Sequence, residues 1–251
     1  MTTRARMLSI GVGLLLGLVL GCSIQPPSRI DAYLGPSAPR ATGMTLMSHP
    51  PKVGSLDVGL LIINDTTAEG SAPPLSSQGL AVFTEQSRVQ ISHAVPIRTT
   101  HVLPSTAIKA NGETEQFIRA SQEAGVEYLL LVVVSSTEMD SPATFEVSAG
   151  GESFAGTSTQ NYSLVEIGLL NGKTGAVPVR AHARERATLE RLNNDIVASH
   201  YPIITRDGGG QLPWWQIQDQ HDALRVASSV ETLTVAAQRF EQAWKEVFPE
   251  R

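Results

Sequence analysis

The chain has 251 residues, of which 41% are hydrophobic, 17% charged and 5% aromatic. That length and apolar content suit one ordinary globular domain with room for an appendage, and exclude a disordered chain. A formal charge of −5 offers no general basic face for nucleic acid, and a single cysteine excludes an internal disulfide framework and a cysteine-rich zinc site.

The N-terminus carries the strongest signal. Arg4 and Arg6 form a short basic region, and Met7 to Leu20 follows as 14 residues without a charge. A membrane span needs about 20 apolar residues, so this run fits the core of a secretory signal peptide. It ends Val19-Leu20-Gly21-Cys22, which resembles the bacterial lipobox. The resemblance implies diacylglycerol transfer to the Cys22 sulfur, cleavage after Gly21 and acylation of the new amino group. The alternative is a plain signal peptide or buried helix with an incidental cysteine. The only cysteine of the chain falls at the cleavage position, which favours the lipobox. Several acyl chains hold a protein on a leaflet, where one gives only marginal binding. Ser23 in place of aspartate resembles the pattern of lipoproteins sent to the outer membrane; the inner membrane is the alternative. Removing residues 1–21 takes away two arginines and no acid, so the side-chain charge falls from −5 to −7. The expected mature protein is thus anchored by lipid, with an acidic domain facing the periplasm.

Residues 22–52 read as the lipidated cysteine and a tether. Pro26, Pro27, Pro36, Pro39, Pro50 and Pro51 fall here without a helical or alternating pattern, although Met44, Leu46 and Met47 offer points of docking. The folded domain is expected over 53–248. Leu56 to Ile63 predicts a buried strand. Ser76 or Ser77 caps a helix running to about Ser92, with Leu80, Phe83 and Ile91 inward. Pro96 to Leu103 predicts a weaker strand. Glu113 to Ala124 predicts a helix stopped by Gly125. Tyr128 to Val134 is apolar on both faces and predicts a central strand covered on both sides. Residues 139–160 are rich in Ser, Thr, Gly and Ala and show no alternation. Tyr162 to Leu170 and Ala176 to Leu189 predict a hairpin, with turn chemistry in Asn171-Gly172 and Thr174-Gly175 and a positive φ at Gly172. In its second strand Val177, Val179, Ala181 and Ala183 point one way, and Arg180, His182, Arg184 and Arg186 the other. Residues 193–215 read as loop. Asp219 to Phe248 is helical, with Val226, Val230, Leu233, Ala237, Phe240, Trp244 and Val247 at spacings of three and four.

The expected fold is therefore α/β, an α+β sandwich. A mixed sheet of about five strands packs with about three helices in the order β-α-β-α-β-β-β-α. Gly125-Val126-Glu127-Tyr128-Leu129-Leu130-Leu131 and Asn171-Gly172-Lys173-Thr174-Gly175 make the domain similar to periplasmic lipoproteins of the curli-secretion type. Related domains are the N-terminal domain of the Tol-system translocation protein and peptidoglycan-synthase accessory lipoproteins. Such domains often carry Asp-x-x-Thr-Gly in that turn; Asn171 replaces the aspartate. The resemblance implies a non-enzymatic role in envelope assembly, with an envelope protein as partner, and brings no catalytic residues. It stops short of the curli pore, for which residues 139–160 supply no pair of alternating spanning hairpins.

Catalytic signals are weak. Gly172-Lys173-Thr174 ends like a phosphate loop, but Ile167 stands where the first glycine belongs. Gly151-Glu152-Ser153-Phe154-Ala155 lacks the last glycine of a nucleophile elbow. The six histidines, at 49, 93, 101, 182, 200 and 221, show no metal-ligand spacing, so neither metal nor cofactor is expected. Asp65 ends the first strand, where α/β sites lie, although an ordinary strand-end turn also explains it. Gly208 to Gly210 reads as a loop. Trp214-Trp215 after Pro213 reads as a core plug, a protein contact or a glycan contact. The face of Arg180, Arg184 and Arg186 is solvated or meets an acidic partner. The leading expectation is a binding module; a lipid-anchored hydrolase or a glycan-binding module using Trp214 and Trp215 are the alternatives.

Overall fold

The computed structural model describes residues 28–35, 56–106, 108–146, 153–193 and 201–249. The signal segment, Gly21 and Cys22, most of the expected tether with Met44, Leu46 and Met47, and Gly151 and Glu152 lie outside the described residues.

The elements run α1 (Arg29–Leu34), β1 (Leu56–Asn64), α2 (Ser77–Ala94), β2 (Ile97–Leu103), α3 (Glu115–Ala124), β3 (Tyr128–Glu146), β4 (Ser153–Asn171), β5 (Val179–Leu192), β6 (Ile203–Arg206) and α4 (Gln220–Val247). The fold is mixed α/β, with a six-stranded sheet in the order β2-β1-β3-β4-β5-β6. β2, β1 and β3 are parallel; β3, β4, β5 and β6 are antiparallel. The expected order is present with two additions, α1 at the start and β6 inside the expected loop. From β1 the chain crosses to β2 through α2, then back over β1 to β3 through α3. Right-handed crossovers in opposite directions demand helices on opposite faces.

Three helix ends have a local cause. The Ser76 hydroxyl accepts from Gly79 N at 3.0 Å and caps α2. Asp219 accepts from Asp222 N at 2.7 Å and caps α4. Gly125, at φ 66°, stops α3 in the left-handed conformation that glycine takes without a Cβ clash.

The sheet divides two cores. Tyr128, Leu130, Val132 and Val134 of β3 join Phe83 and Ile91 of α2 and Leu233, Phe240 and Trp244 of α4 in the larger one. Leu129, Leu131 and Val133 join Phe117 of α3 and Ile30, Tyr33 and Leu34 of α1 in the smaller one. The both-sides-apolar run of β3 thus has its two covers. Val179 and Ala183 face the larger core with Ala181 packed against it, while Val177, ahead of the strand, joins the smaller one.

Three local expectations need correction. Residues 29–34, expected within the tether, form a helix whose Ile30, Tyr33 and Leu34 are buried, so they belong to the domain. Residues 139–160 are not a patternless stretch. β3 and β4 are each 19 residues long, and their ladder continues in register to Glu146 opposite Ser153. In the turn before β5 the positive φ, 70°, falls on Gly175 instead of Gly172. Gly172 has another reason to be small: a Cβ there would sit 1.8 Å from the Ser121 hydroxyl of α3.

Candidate functional site

β1 ends at Asn64 beside Val134 of its parallel neighbour β3, which runs on to Glu146. Open α/β sheets bind ligands beyond the C-terminal ends of their parallel strands. Asp65 is buried there, immediately after β1, with its N–H on Val134 O at 2.8 Å. Here the end of β1 is met by the chain's own α1. Arg29 Nε donates to Asp65 Oδ2 at 2.5 Å, and Arg29 Nη2 donates to Thr67 Oγ1 at 2.5 Å. The Tyr33 hydroxyl donates to Asp65 Oδ1 at 3.0 Å, joined by Thr67 N at 3.0 Å and Thr67 Oγ1 at 2.7 Å.

Glu166 of β4 completes the junction. Its Oε1 accepts from the Ser28 hydroxyl at 2.7 Å, and its Oε2 from the N–H groups of Arg29 at 2.5 Å and Ile30 at 2.9 Å. A carboxylate on the first N–H groups of a helix satisfies donors that have no partner inside the helix. The other end of α1 is equally held. Thr114 Oγ1 donates to Leu34 O at 2.8 Å, and Gly112 N donates to Ala32 O at 3.1 Å. Along its side, Arg180 Nη1 donates to Asp31 Oδ1 at 2.5 Å.

The electrostatics follow from these contacts. Burial pushes the Asp65 carboxyl up, but hydrogen bonds from Arg29, Thr67 and Tyr33 outweigh it and hold the group below the usual carboxylate range. The Arg29 guanidinium is raised, first by its bond to Asp65. Burial, with the Asp65 carboxylate beside it, pushes the Tyr33 phenol above its ordinary value. At neutral pH the pair is a carboxylate and a guanidinium, with Tyr33 a neutral donor. Both Asp65 oxygens are already taken by the chain's own donors.

Of the residues singled out in the sequence, Asp65 is the one that this junction uses from its strand-end position. Its partners Arg29 and Tyr33, and Glu166 at the start of α1, were missed. The available signals were Ser28 and Gly35 flanking apolar positions 30, 33 and 34, and one acid inside the otherwise apolar run from Leu164 to Leu170.

Arg180, Arg184 and Arg186 share the sheet face that carries α1. They stand opposite Gly168, Leu164 and Tyr162 of β4. Arg180 is spent on Asp31. Arg186 pairs with Asp207, and its guanidinium lies 5.8 Å from the Tyr162 ring centre. Arg184 is exposed.

Trp214 and Trp215 lie in the loop before α4, on the larger-core side of the sheet and away from the face of these arginines. Both are half-buried and pack against the larger core. Trp215 and Gln216 take left-handed φ values of 51° and 56°, a conformation that costs a side-chain-bearing residue about 1–2 kcal/mol. Trp215 Nε1 is buried without a hydrogen-bond partner.

The remaining catalytic suggestions do not assemble. Gly172-Lys173-Thr174 is a turn between two strands, where Asn171 Oδ1 accepts from Lys173 N and Thr174 N at 3.0 and 3.1 Å. Ser153 opens a strand where a nucleophile elbow leads into a helix. Gly208 to Gly210 all have positive φ and turn the chain back, so that Arg206 N reaches Gly210 O at 2.9 Å. His93, His101 and His182 are exposed, and His221 lies 3.8 Å from Glu138. Among the described residues no three His, Cys, Asp or Glu side chains come together as a metal site. Among them, too, no helix is long and apolar enough to cross a membrane.

No protein-family model and no curated protein matches the chain. Among solved structures it is similar to the PelC dodecamer from Paraburkholderia phytofirmans, at 11% identity and TM-score 0.33, covering 78% of this chain and 95% of that one. It is also similar to a neuraminyllactose-binding hemagglutinin homolog from Helicobacter pylori, at 9% identity and TM-score 0.33, with coverage of 78% and 84%. A lipoprotein from Neisseria meningitidis is a third, at 14% identity and TM-score 0.26, with coverage of 51% and 82%. With TM-scores this far below 0.5, these likenesses carry no argument about function.

Proposed function

We propose that this chain is a lipid-anchored lipoprotein of the outer membrane. In this reading its α/β domain faces the periplasm and acts as a non-enzymatic binding and assembly module of the envelope. One observation carries it: Asp65 at the C-terminal end of β1 and Glu166 of β4 are consumed in seating α1, whose cap Ser28 is six residues after Cys22. A strand end used in this way serves to hold the domain beside its anchor. Contact with an envelope protein then falls to surface groups, with Arg184, Arg186, Trp214 and Trp215 as candidates and Arg180 supporting α1.

Metabolic labelling with an alkyne fatty acid tests the anchor. Cys22→Ala should lose the label and accumulate as unprocessed precursor. Equal label in wild type and variant overturns the reading.

A further inference from the structure

The helix that seats the anchor also has a direction. Its N-terminal cap Ser28 meets Glu166, and its C-terminal Leu34 meets Thr114, which packs beside Gly175 in the turn at the opposite end of β4. The chain leading back to Cys22 therefore leaves α1 on the side toward which the β3–β4 hairpin extends. Ser28 is six steps along the chain from Cys22, a reach of at most about 20 Å. Glu166 pairs with Val133, and the hairpin continues past that level to Glu146 and Ser153, about 40 Å further at about 3.3 Å per residue. The anchor thus cannot hold the membrane beyond the hairpin; the hairpin runs alongside it.

The two faces of that extension differ in kind. Glu138, Asp140 and Glu146 lie on the face shared with α4. The other face, on the side of α1, carries Met139, Ala143, Phe145, Phe154 and Tyr162, and its remaining positions on β3 and β4 between residues 137 and 162 are Ser, Thr, Gln and Gly. No charge interrupts it on those two strands; β5 adds Arg184, Arg186 and Glu190 along its border. Met139 is 55% exposed and Tyr162 42% exposed, two of the four large apolar side chains that stand out in this way among the described residues. Tyr162 is four residues along β4 from Glu166, and Gln160, the partner of Met139, is six, or about 13 and 20 Å. Both fall within the reach of the Cys22 leash.

Resting on the reading of Cys22 as a lipid anchor, we infer that the face of the β3–β4 hairpin around Met139 and Tyr162, without charge on those two strands and edged by Arg184 and Arg186 of β5, lies against the leaflet that holds the acyl chains. A short leash keeps this face near lipid at high effective concentration, so a modest apolar patch is enough to orient the domain. Tyrosine, apolar in its ring and polar at its tip, suits the interfacial layer. Bulk charge is no driving force here, because the chain is acidic. Contact is directed by where the anchor emerges.

The test uses the full chain, purified in detergent and reconstituted into phosphatidylethanolamine–phosphatidylglycerol vesicles. With Cys22 acylated, Met139→Cys supplies the only free thiol for an environment-sensitive fluorophore. Arg88→Cys, on the exposed outer side of α2, is the control. The inference expects nitroxide-labelled lipid to quench position 139 strongly and position 88 little, with a blue-shifted emission at 139 only. Intact mass reports acylation separately. An acylated protein with neither or both positions quenched overturns the inference and leaves the anchor standing. A label at 139 shielded from lipid and from iodide means that protein covers the face, which also overturns it. Absence of the acyl mass removes the anchor reading, and the inference falls with it.

Discussion

The two faces of the sheet are covered by opposite means. On one, α4 runs for 28 residues and buries Leu233, Phe240 and Trp244 with the apolar side of α2. On the other, α1 has six residues, far fewer than an isolated helix needs to persist in water. It is held by Asp65, Glu166 and Arg180 as much as by Ile30, Tyr33 and Leu34. Where apolar area is ample, position follows from packing. Where it is scarce, buried hydrogen bonds and ion pairs fix the place, because leaving them unpaired is costly.

The widest separation between the faces should come from Phe240→Ala. It opens a cavity in the larger core and should cost about 3–5 kcal/mol, read as a lower denaturant midpoint for the whole domain. An unchanged midpoint would mean that α4 does not carry global stability. Asp65→Ala should act more locally. It strands Arg29 and Tyr33 at a cost of about 1–3 kcal/mol, and amide exchange should accelerate at residues 28–35 while α4 stays protected. Equal acceleration in α4 would deny that the faces are independent.

Acid sharpens the same contrast. The Asp65 carboxyl is held below its ordinary value in the fold, so its contribution is complete above the unfolded value of about 4. It is lost as pH falls below that through the folded value. Protection at residues 28–35, corrected for the intrinsic exchange rate, should therefore fall in acid, and Asp65→Asn should lessen that fall. The smallest effect expected is a gain. Gln216→Gly relieves one left-handed residue and should stabilise the domain by about 1 kcal/mol in thermal melts.

The larger core was legible because its elements are long. The spacing of Val226 to Trp244 marks α4, and the doubly apolar run from Tyr128 marks the central strand. α1 was not, since Pro27 and Pro36 bound a segment too short for any period to show. The outer hairpin was hidden for a different reason: its ladder is carried by backbone pairing through Ser, Thr and Gly, residues that announce no strand. Asp65 stood at a readable position. Arg29, 36 residues away, meets it only through topology, as Glu166, 137 residues from Arg29, meets the start of α1. The arginine alternation was correctly seen, while the uses of Arg180 and Arg186 depended on acids from other elements.

The seating of α1 also orders the assembly of the molecule in time. Its partners Asp65, Thr114, Glu166 and Arg180 all lie downstream, the last of them 149 residues from Asp31. The helix has no cause to form before β1, β3, β4 and β5 have come together, since closing such long loops must precede any reward from the contacts. Among the described residues, those synthesised first therefore settle last.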